Sequence, residues 1–147
     1  MTAYVFHNRV KLDGFDFKDA QFTMNMPSTI TSTVLAAAAT ALVCTIDTSA
    51  STKVKLTSSG DEITGIIMTV EDRVAAEAQT VGTVSFDFAE LLTIDPASTG
   101  GAIPVVCSRL IGGAAGTVRA AAGSEAFYAK APRVWEVRGN YVVAVRH

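Results

Sequence analysis

The stretch VKLTSSGDEITGIIMTVEDR, residues 54–73, is the most regular part of this chain and decides how its fold is interpreted. VKLT alternates apolar and polar residues, SSGDE is rich in turn-forming residues, and ITGIIMTV is an apolar run of strand length, so we predict strand, turn and strand. The second strand contains Gly65, and we expect it to be buried on both faces or bulged. Glu71, Asp72 and Arg73 then form a charged cluster. This cluster is either a catalytic site at a strand end or the polar rim of a small β-module.

Further strands with turn signals between them recur about every 8 to 12 residues, a spacing typical of a small sandwich or barrel. LVCTID, TVGTVSFDF with its break at Gly82, and IPVVCSRLI are predicted strands. EDRVAAEAQ is a predicted polar break, and AELLTIDP a predicted single helical turn before Pro96. In RVWEVRGNYVVAVRH we predict a hairpin, Val134 to Val137 and Tyr141 to Val145, around a Gly-Asn turn. The expected fold class is mainly β, a small β-sandwich or barrel-like domain with one or two short helices.

Residues 1–32 differ from the rest of the chain because they are polar and aromatic. They hold four of the seven phenylalanines, namely Phe6, Phe15, Phe17 and Phe22. We interpret residues 1–32 as an extended N-terminal arm that becomes ordered against a partner, and residues 33–147 as a single β-rich domain. The alternative for the same residues is an ordinary first strand or hairpin of the domain.

The alanine-rich segment VLAAAATALVC, which follows, fits two structures equally. Alanine has the highest helix propensity, and Ser32 or Thr33 would cap a short helix. Thr, Val and Cys crowd both ends of the segment, which favours an extended chain leading into LVCTID. Both structures remain open for residues 33–43.

Composition narrows the class of protein. Hydrophobic residues make up 49% of the 147, enough apolar surface to offset the entropy of ordering, so a disordered chain is excluded. Charged residues are 18%, which suits either a protein that buries part of its surface in an assembly or an unusually neutral monomer. The net charge of −2 does not indicate a nucleic-acid partner. With no long apolar run and no signal peptide, we expect no membrane partner and synthesis in a cytoplasm-like compartment.

Residues that carry catalysis or bind metals are sparse. The two histidines, His7 and His147, lie outside the predicted strands, and the sequence has no CxxC, HExxH, EF-hand or phosphate-loop motif. We therefore expect no enzyme, no catalytic residue, no cofactor and no metal site. The remaining candidates are carboxylates at strand ends, chiefly Glu71 and Asp72. As an acid/base pair they would define a small hydrolase, although solvated turn residues are the simpler interpretation.

Four further side chains carry structural predictions. Cys44 and Cys107 each lie in a β-branched run, LVCTI and VVCSR, and in a reducing compartment two buried free thiols are expected. Trp135 and Tyr141 lie in the two halves of the terminal hairpin, where a cross-strand aromatic pair would stabilise it.

From Cys44 to Pro96, the order of segments resembles the head decoration proteins, or capsid cement proteins, of tailed bacteriophages of the phage lambda kind. The matching segments are TIDTSASTKVKL, the turn SSGDE, ITGIIMTVEDR, and, after a linker, TVGTVSFDFAELL followed by DP. A second phage family of small capsid-associated β-proteins rich in Ala, Gly and Thr is similar in composition. This chain departs from the lambda pattern by a longer N-terminal arm and by the long tail after Gly101.

The resemblance implies a non-enzymatic structural protein of the virion, made in the host bacterial cytoplasm. Such a protein trimerises, binds the major capsid protein on the outside of the expanded head at three-fold or quasi-three-fold positions, and stabilises the head. Its arm becomes ordered on the capsid, often as an added strand. The capsid-contact candidates are then the phenylalanines of the arm, Phe6, Phe15, Phe17 and Phe22, and the subunit-contact candidates are the rim residues Glu71, Asp72 and Arg73. The main alternative is another phage structural β-protein, a tail-tube or head-completion subunit, which would form rings or tubes.

Overall fold

Antiparallel strands make up most of the structure. The computed structural model describes residues 21–50, 52–73, 79–125 and 128–146. Its strands are β1 (Gln21–Met26), β2 (Val43–Ile46), β3 (Val54–Leu56), β4 (Gly65–Arg73), β5 (Gln79–Ser85), β6 (Phe88–Thr93), β7 (Leu110–Gly112), β8 (Val118–Ala120), β9 (Arg133–Arg138) and β10 (Tyr141–Arg146). The helical elements described are α1 (Ser32–Ala37) and the single 3-10 turns Gly100–Ala102, Ala114–Gly116 and Tyr128–Lys130. The predicted mainly β fold is confirmed.

The largest sheet is a partly closed barrel. Its strand order is β1-β5-β4-β2-β3, and all neighbouring pairs are antiparallel. The two outer strands meet at a parallel bridge between Asn25 and Lys53, where the Asn25 N–H donates to the Thr52 carbonyl oxygen at 2.8 Å. The bridge occupies part of both outer edges, which would otherwise offer unpaired backbone groups to other chains.

The remaining strands form a three-stranded sheet, in the order β6-β10-β9, and a separate β7–β8 hairpin. Single bridges connect these two parts, from Ile94 to Val118 and from Arg109 to Arg133. Another bridge, from Ala41 to Leu92, connects β6 to the segment that precedes β2. The short β7–β8 hairpin is therefore attached at both ends to the sheet beside it.

The structure has two hydrophobic cores. The large core consists of Val43, Ile63, Ile66, Phe88, Leu92, Leu110, Val118, Val134, Val142 and Ala144. The small core, inside the partly closed barrel, consists of Met24, Met26, Ile30, Cys44, Val54, Ile67 and Val84. Strands β2 and β4 contribute consecutive residues to the two cores, because successive side chains of a strand point to opposite faces.

The apolar run of β4 was predicted to be either buried on both faces or bulged, and it is both. Ile66 and Ile67 are buried on opposite faces, which explains why the run has no polar alternation. The pairing with β5 then shifts between Ile67 and Thr69, so that Met68 is bulged and 42% exposed. The strand is therefore buried on both faces in one half and bulged at the next residue.

Gly82 does not interrupt β5, contrary to the prediction. A Cβ at this position would collide with the Thr69 carbonyl oxygen and lie 2.6 Å from Cε of Met26. At Gly65 in β4, a Cβ would lie 2.5 Å from the Ser85 carbonyl oxygen. Glycine is needed at both positions because neighbouring backbone approaches too closely for a side chain.

Three other predictions about elements were wrong. Glu71, Asp72 and Arg73 do not break the strand, because their backbones continue to pair with β5 as far as Gln79. AELL is part of strand β6 rather than a helical turn, and it is paired along its length with β10. The run VVC is a loop in which Cys107 has a φ of 69°, and the strand predicted there is limited to β7.

The part of the predicted N-terminal arm that the structure describes belongs to the domain. Residues 21–26 form β1, which pairs with β5 from Gln21 opposite Ser85 to Met26 opposite Thr80, as in the alternative of a first strand of the domain. Helix α1 then confirms the helical alternative for the start of segment 33–43, although its cap is Thr31, whose side-chain oxygen accepts from the Val34 N–H at 3.2 Å. Residues 1–20 lie outside the described residues.

The C-terminal hairpin is confirmed, with β9 and β10 joined by the two-residue turn Gly139-Asn140, where Gly139 has a φ of 61°. The predicted aromatic pair is absent. Tyr141 lies opposite Arg138, and Trp135 lies at an irregularity in the pairing between Val134 and Glu136. Trp135 is 75% exposed, so it contributes to the surface rather than to the hairpin.

Candidate functional site

Phe22 is the only arm phenylalanine within the described residues. It lies in β1, is half-buried, and packs against the small core, with its ring 4.9 Å from the Phe86 ring at an interplanar angle of 54°. A ring held in this way stabilises the barrel, and its contact with a capsid stays a prediction. Phe6, Phe15 and Phe17 lie outside the described residues.

The rim residues Glu71, Asp72 and Arg73 lie at the far end of the β4–β5 hairpin, opposite Val81, Thr80 and Gln79. Glu71 is exposed, as a contact with another subunit requires. Asp87, another carboxylate that follows a strand, lies beyond the opposite end of β5. The six residues of strand from Val81 to Asp87 span about 20 Å at about 3.3 Å per residue, whereas the two carboxyl groups of a glycosidase lie about 5–9.5 Å apart. The strands therefore do not bring Glu71 and Asp87 together.

The two cysteines have different environments, and the expectation of two buried thiols is correct for one of them. Both are free, but Cys44 is buried in the small core while Cys107 is exposed on the loop before β7. The Cys44 thiol donates to the Gly65 carbonyl oxygen at 3.4 Å. Burial is the dominant effect on this thiol and raises its pKa to about 12, so Cys44 is not a nucleophile at neutral pH.

An exposed apolar surface lies along the outer edge of β9. The loop before β7 runs beside the start of this strand, where the Cys107 N–H donates to the Val134 carbonyl oxygen and the Val134 N–H to the Ser108 carbonyl oxygen, both at 2.9 Å. Beyond Val134, no backbone group of the described residues pairs with this outer edge. Strand β9 and this loop carry four exposed apolar side chains, which we call the apolar edge: Val105 (63%), Val106 (56%), Trp135 (75%) and Val137 (37%).

A cavity of about 350 Å³ adjoins the apolar edge. We call it the basic cavity because its lining includes four cations and Trp135 but no carboxylate among the described residues: Arg109, Ala129, Lys130, Ala131, Arg133, Trp135, Val145 and Arg146. The Arg109 side chain donates to the Ala131 carbonyl oxygen at 2.8 Å. Arg146 donates to the carbonyl oxygens of Thr64 and Phe86. Burial, the largest effect, lowers the pKa of Arg146, against the raising effect of nearby carboxylates.

Asp95 is a buried acid with a structural role that was not predicted from the sequence. Its carboxylate accepts from the backbone N–H groups of Ala97 and Ala114, each at 2.9 Å, and so connects the end of β6 to the β7–β8 turn. These hydrogen bonds, the one from Ala114 first, lower the pKa of Asp95 against the opposing effect of burial. The Asp-Pro pair is a local signal for the turn at Ala97, but nothing in the sequence indicates the contact with Ala114.

Comparison with protein-family models, curated proteins and solved structures finds no match for this chain. None of the described helices is long and apolar enough to cross a membrane. Within the described ranges, no three side chains of His, Cys, Asp or Glu converge in a geometry that would hold a metal ion. The apolar edge and the basic cavity are the two surface features that we take as candidate sites.

Proposed function

We propose that this chain is a non-enzymatic structural protein of a bacteriophage, which binds the outer surface of the capsid as a trimer and stabilises the expanded head. Two independent observations support the proposal. The first is the resemblance of residues 44–96 to head decoration proteins. The second, which carries the argument from the structure, is the apolar edge along β9.

The apolar edge has the features of a protein-binding surface. A cluster of exposed apolar side chains on a soluble domain marks an interaction site, and tryptophan is among the residues most enriched at the energetic centres of interfaces. The unpaired backbone of Trp135–Arg138 also offers an edge to which a strand of another protein can be added. In the proposed function, the apolar edge contacts the major capsid protein.

Subunit contacts are proposed for the charged residues at the end of β4. Glu71, Asp72 and Arg73 are the last residues of β4, and in the proposed trimer this segment contacts the neighbouring subunit. Sedimentation velocity of the purified protein tests this arrangement. A trimer that dissociates when Glu71 is replaced by Lys supports it, and a wild-type protein that sediments as a monomer at all concentrations contradicts the trimer.

Co-sedimentation with expanded, undecorated shells of the parent phage tests capsid binding. The variant Val105→Ser/Val106→Ser removes two apolar side chains from an exposed loop. Burying a valine is worth about 1.5–3 kcal/mol, so if the shell covers both, the affinity should fall by more than about tenfold. The matched control is Ile46→Ser on β2, an equally apolar side chain that is 44% exposed outside the apolar edge. Failure of the wild-type protein to bind would refute the function, and unchanged binding of the double variant would refute this surface.

A further inference from the structure

The unpaired part of the β9 edge is short and bounded at both ends. At its start, the N–H and C=O groups of Val134 already form hydrogen bonds with the loop before β7. At its end, the chain turns at Gly139-Asn140 and returns as β10. Between these limits, the outer side of residues 135–138 pairs with no strand that the structure describes. We call these four residues the free edge.

Val137, in the free edge, has a side chain on the core face of the sheet but lacks a neighbour to cover it. It lies opposite Val142, which is fully buried in the large core, and directly opposed residues share a face. Val137 is nevertheless 37% exposed. Its backbone also faces outward, because Arg138 and Tyr141 close the two-residue turn as a hydrogen-bonded pair and the bonding direction alternates along a strand. A strand added here would gain hydrogen bonds and cover the core.

Two charges of opposite sign flank Val137. The guanidinium of Arg138 donates two hydrogen bonds of 2.8 Å to the carboxylate of Glu136. The two residues are separated by one position and therefore lie on the same face of the strand, opposite to that of Val137. About half of each side chain is exposed, 58% for Arg138 and 48% for Glu136. The free edge thus presents one cation and one carboxylate, side by side, to any strand that is added.

The free edge of a second copy matches this charge pattern. Two identical antiparallel strands pair about a two-fold axis, which places one residue opposite its own copy. With Val137 on the axis, Glu136 of each copy lies opposite Arg138 of the other. With Glu136 or Arg138 on the axis, like charges lie directly opposite, which is destabilising. With Trp135 on the axis, the strands would need the backbone of Val134, which is bonded to the loop. The register centred on Val137 is therefore favoured.

We propose that two copies of this chain pair through their free edges, antiparallel and with Val137 on the two-fold axis. The sheets β6-β10-β9 of the two copies then form one six-stranded sheet. The inference goes beyond the proposed function and does not depend on it, because it concerns the free protein. Copies that reach a shell would exchange this pairing for the capsid contact. The pairing is also separate from the subunit contacts proposed at the end of β4.

Sedimentation velocity of the intact chain, over a range of concentrations, measures the pairing. Glu136→Arg gives the free edge two cations, and Arg138→Glu gives it two carboxylates. Each variant alone should therefore have at most half the wild-type mass, because like charges face each other across the axis. An equimolar mixture of the two variants should regain the wild-type mass, since each edge then meets the opposite charge. The double variant Glu136→Arg/Arg138→Glu should regain it alone.

The matched control is Arg133→Glu, the same change at an exposed cation of β9 that precedes the free edge, and it should leave the mass unchanged. Circular dichroism of each variant checks that it is folded. Two results overturn the proposal. The first is a wild-type protein with the same mass as the single variants at every concentration, which would leave the edge to the capsid alone. The second is a mixture of the single variants that keeps the mass of its components.

Discussion

Ile66 and Ile67 are consecutive residues of β4, and their side chains lie in different hydrophobic cores. Ile66 belongs to the large core and is 1% exposed, while Ile67 belongs to the small core and is 3% exposed. Strand β4 therefore packs against both cores, one on each face, which makes it the central element of the domain. The next residue, Met68, lies at a β-bulge of the strand and is largely exposed to solvent.

These three neighbours should respond very differently to truncation. Ile66→Ala and Ile67→Ala should each lower the free energy of unfolding by about 2–5 kcal/mol, since each leaves a cavity in a packed core. Met68→Ala is the control, and it should change the free energy of unfolding by less than about 1 kcal/mol because the side chain is largely exposed. Urea unfolding followed by circular dichroism measures all three. Equal effects at the three positions would contradict the two-core arrangement.

Gly82→Ala should destabilise the barrel. The added methyl group would collide with the Thr69 carbonyl oxygen, and forcing an extra carbon into a packed interior costs about 1–3 kcal/mol. Gly101→Ala is the matched control, since no atom lies within 4 Å of the position of its Cβ and its φ is not positive. Thermal unfolding of the two variants measures the difference in their stability. A stable Gly82→Ala protein would show that β1, β4 and β5 do not approach as closely as described.

Asp95 should make stability depend on pH. Its pKa is lowered in the folded protein, so its contribution to stability is present above the ordinary pKa of about 3.9 and is lost as the pH falls through the lower folded value. Asp95→Asn should reduce the free energy of unfolding at neutral pH by about 1.5–3 kcal/mol, the contribution of a hydrogen bond to a charged group. The difference from wild type should shrink in acid. A constant difference between neutral and acidic pH would exclude ionised Asp95 as the cause.

The cysteines should be distinguishable by alkylation. In the native protein an uncharged alkylating reagent should modify Cys107 alone, because Cys44 is buried and burial raises its pKa to about 12. In denaturant without reductant, both thiols should be modified, since both are free. Intact-mass spectrometry counts the labels. Two labels on the native protein would show that the small core opens, and no label after denaturation would reveal a disulfide.

Two N-terminal deletions should separate the arm from the domain. Removal of residues 1–20 should leave a folded protein, because β1 and its pairing with β5 remain. Removal of residues 1–26 should destabilise the barrel strongly, since it deletes Met24 and Met26 from the small core and exposes the β5 edge. Circular dichroism and urea unfolding of both proteins provide the measurement. Equal stability of the two truncated proteins would show that β1 is dispensable.

Shell binding by the protein that lacks residues 1–20 tests whether this part of the arm contacts the capsid. If residues 1–20 add contacts to the capsid, their removal should weaken co-sedimentation with expanded shells, because each lost backbone hydrogen bond costs about 0.5–1.5 kcal/mol and three arms act together in a trimer. Circular dichroism of the same protein serves as the control for folding. Binding equal to that of the full-length protein would remove the arm from the capsid contact.

The sequence alone determined the mainly β character of this protein and some of its strands and turns. The run ITGIIMTV indicated a strand without a solvent face, and the terminal Gly-Asn pair indicated a hairpin, because turn chemistry and hydrophobic periodicity are local properties of the backbone and of neighbouring side chains. The candidate sites depend instead on contacts between residues that are far apart in the sequence. Val105 and Val106 looked like strand residues, and Trp135 looked like half of an aromatic pair.

Only the tertiary structure decided which apolar residues are buried. Val105 and Val106 are exposed because the backbone beside them pairs with the start of β9 and leaves their own turn outside the sheet, whereas β1 is held in the domain by a partner, β5, that lies far along the chain. The basic cavity depends on the same kind of contact, since Arg109, Lys130, Arg133 and Arg146 come together through pairing between β6, β9 and β10 and through the bridge from Arg109 to Arg133. Hydrophobicity specifies that a side chain prefers burial, but long-range strand pairing determines whether a neighbour is present to bury it.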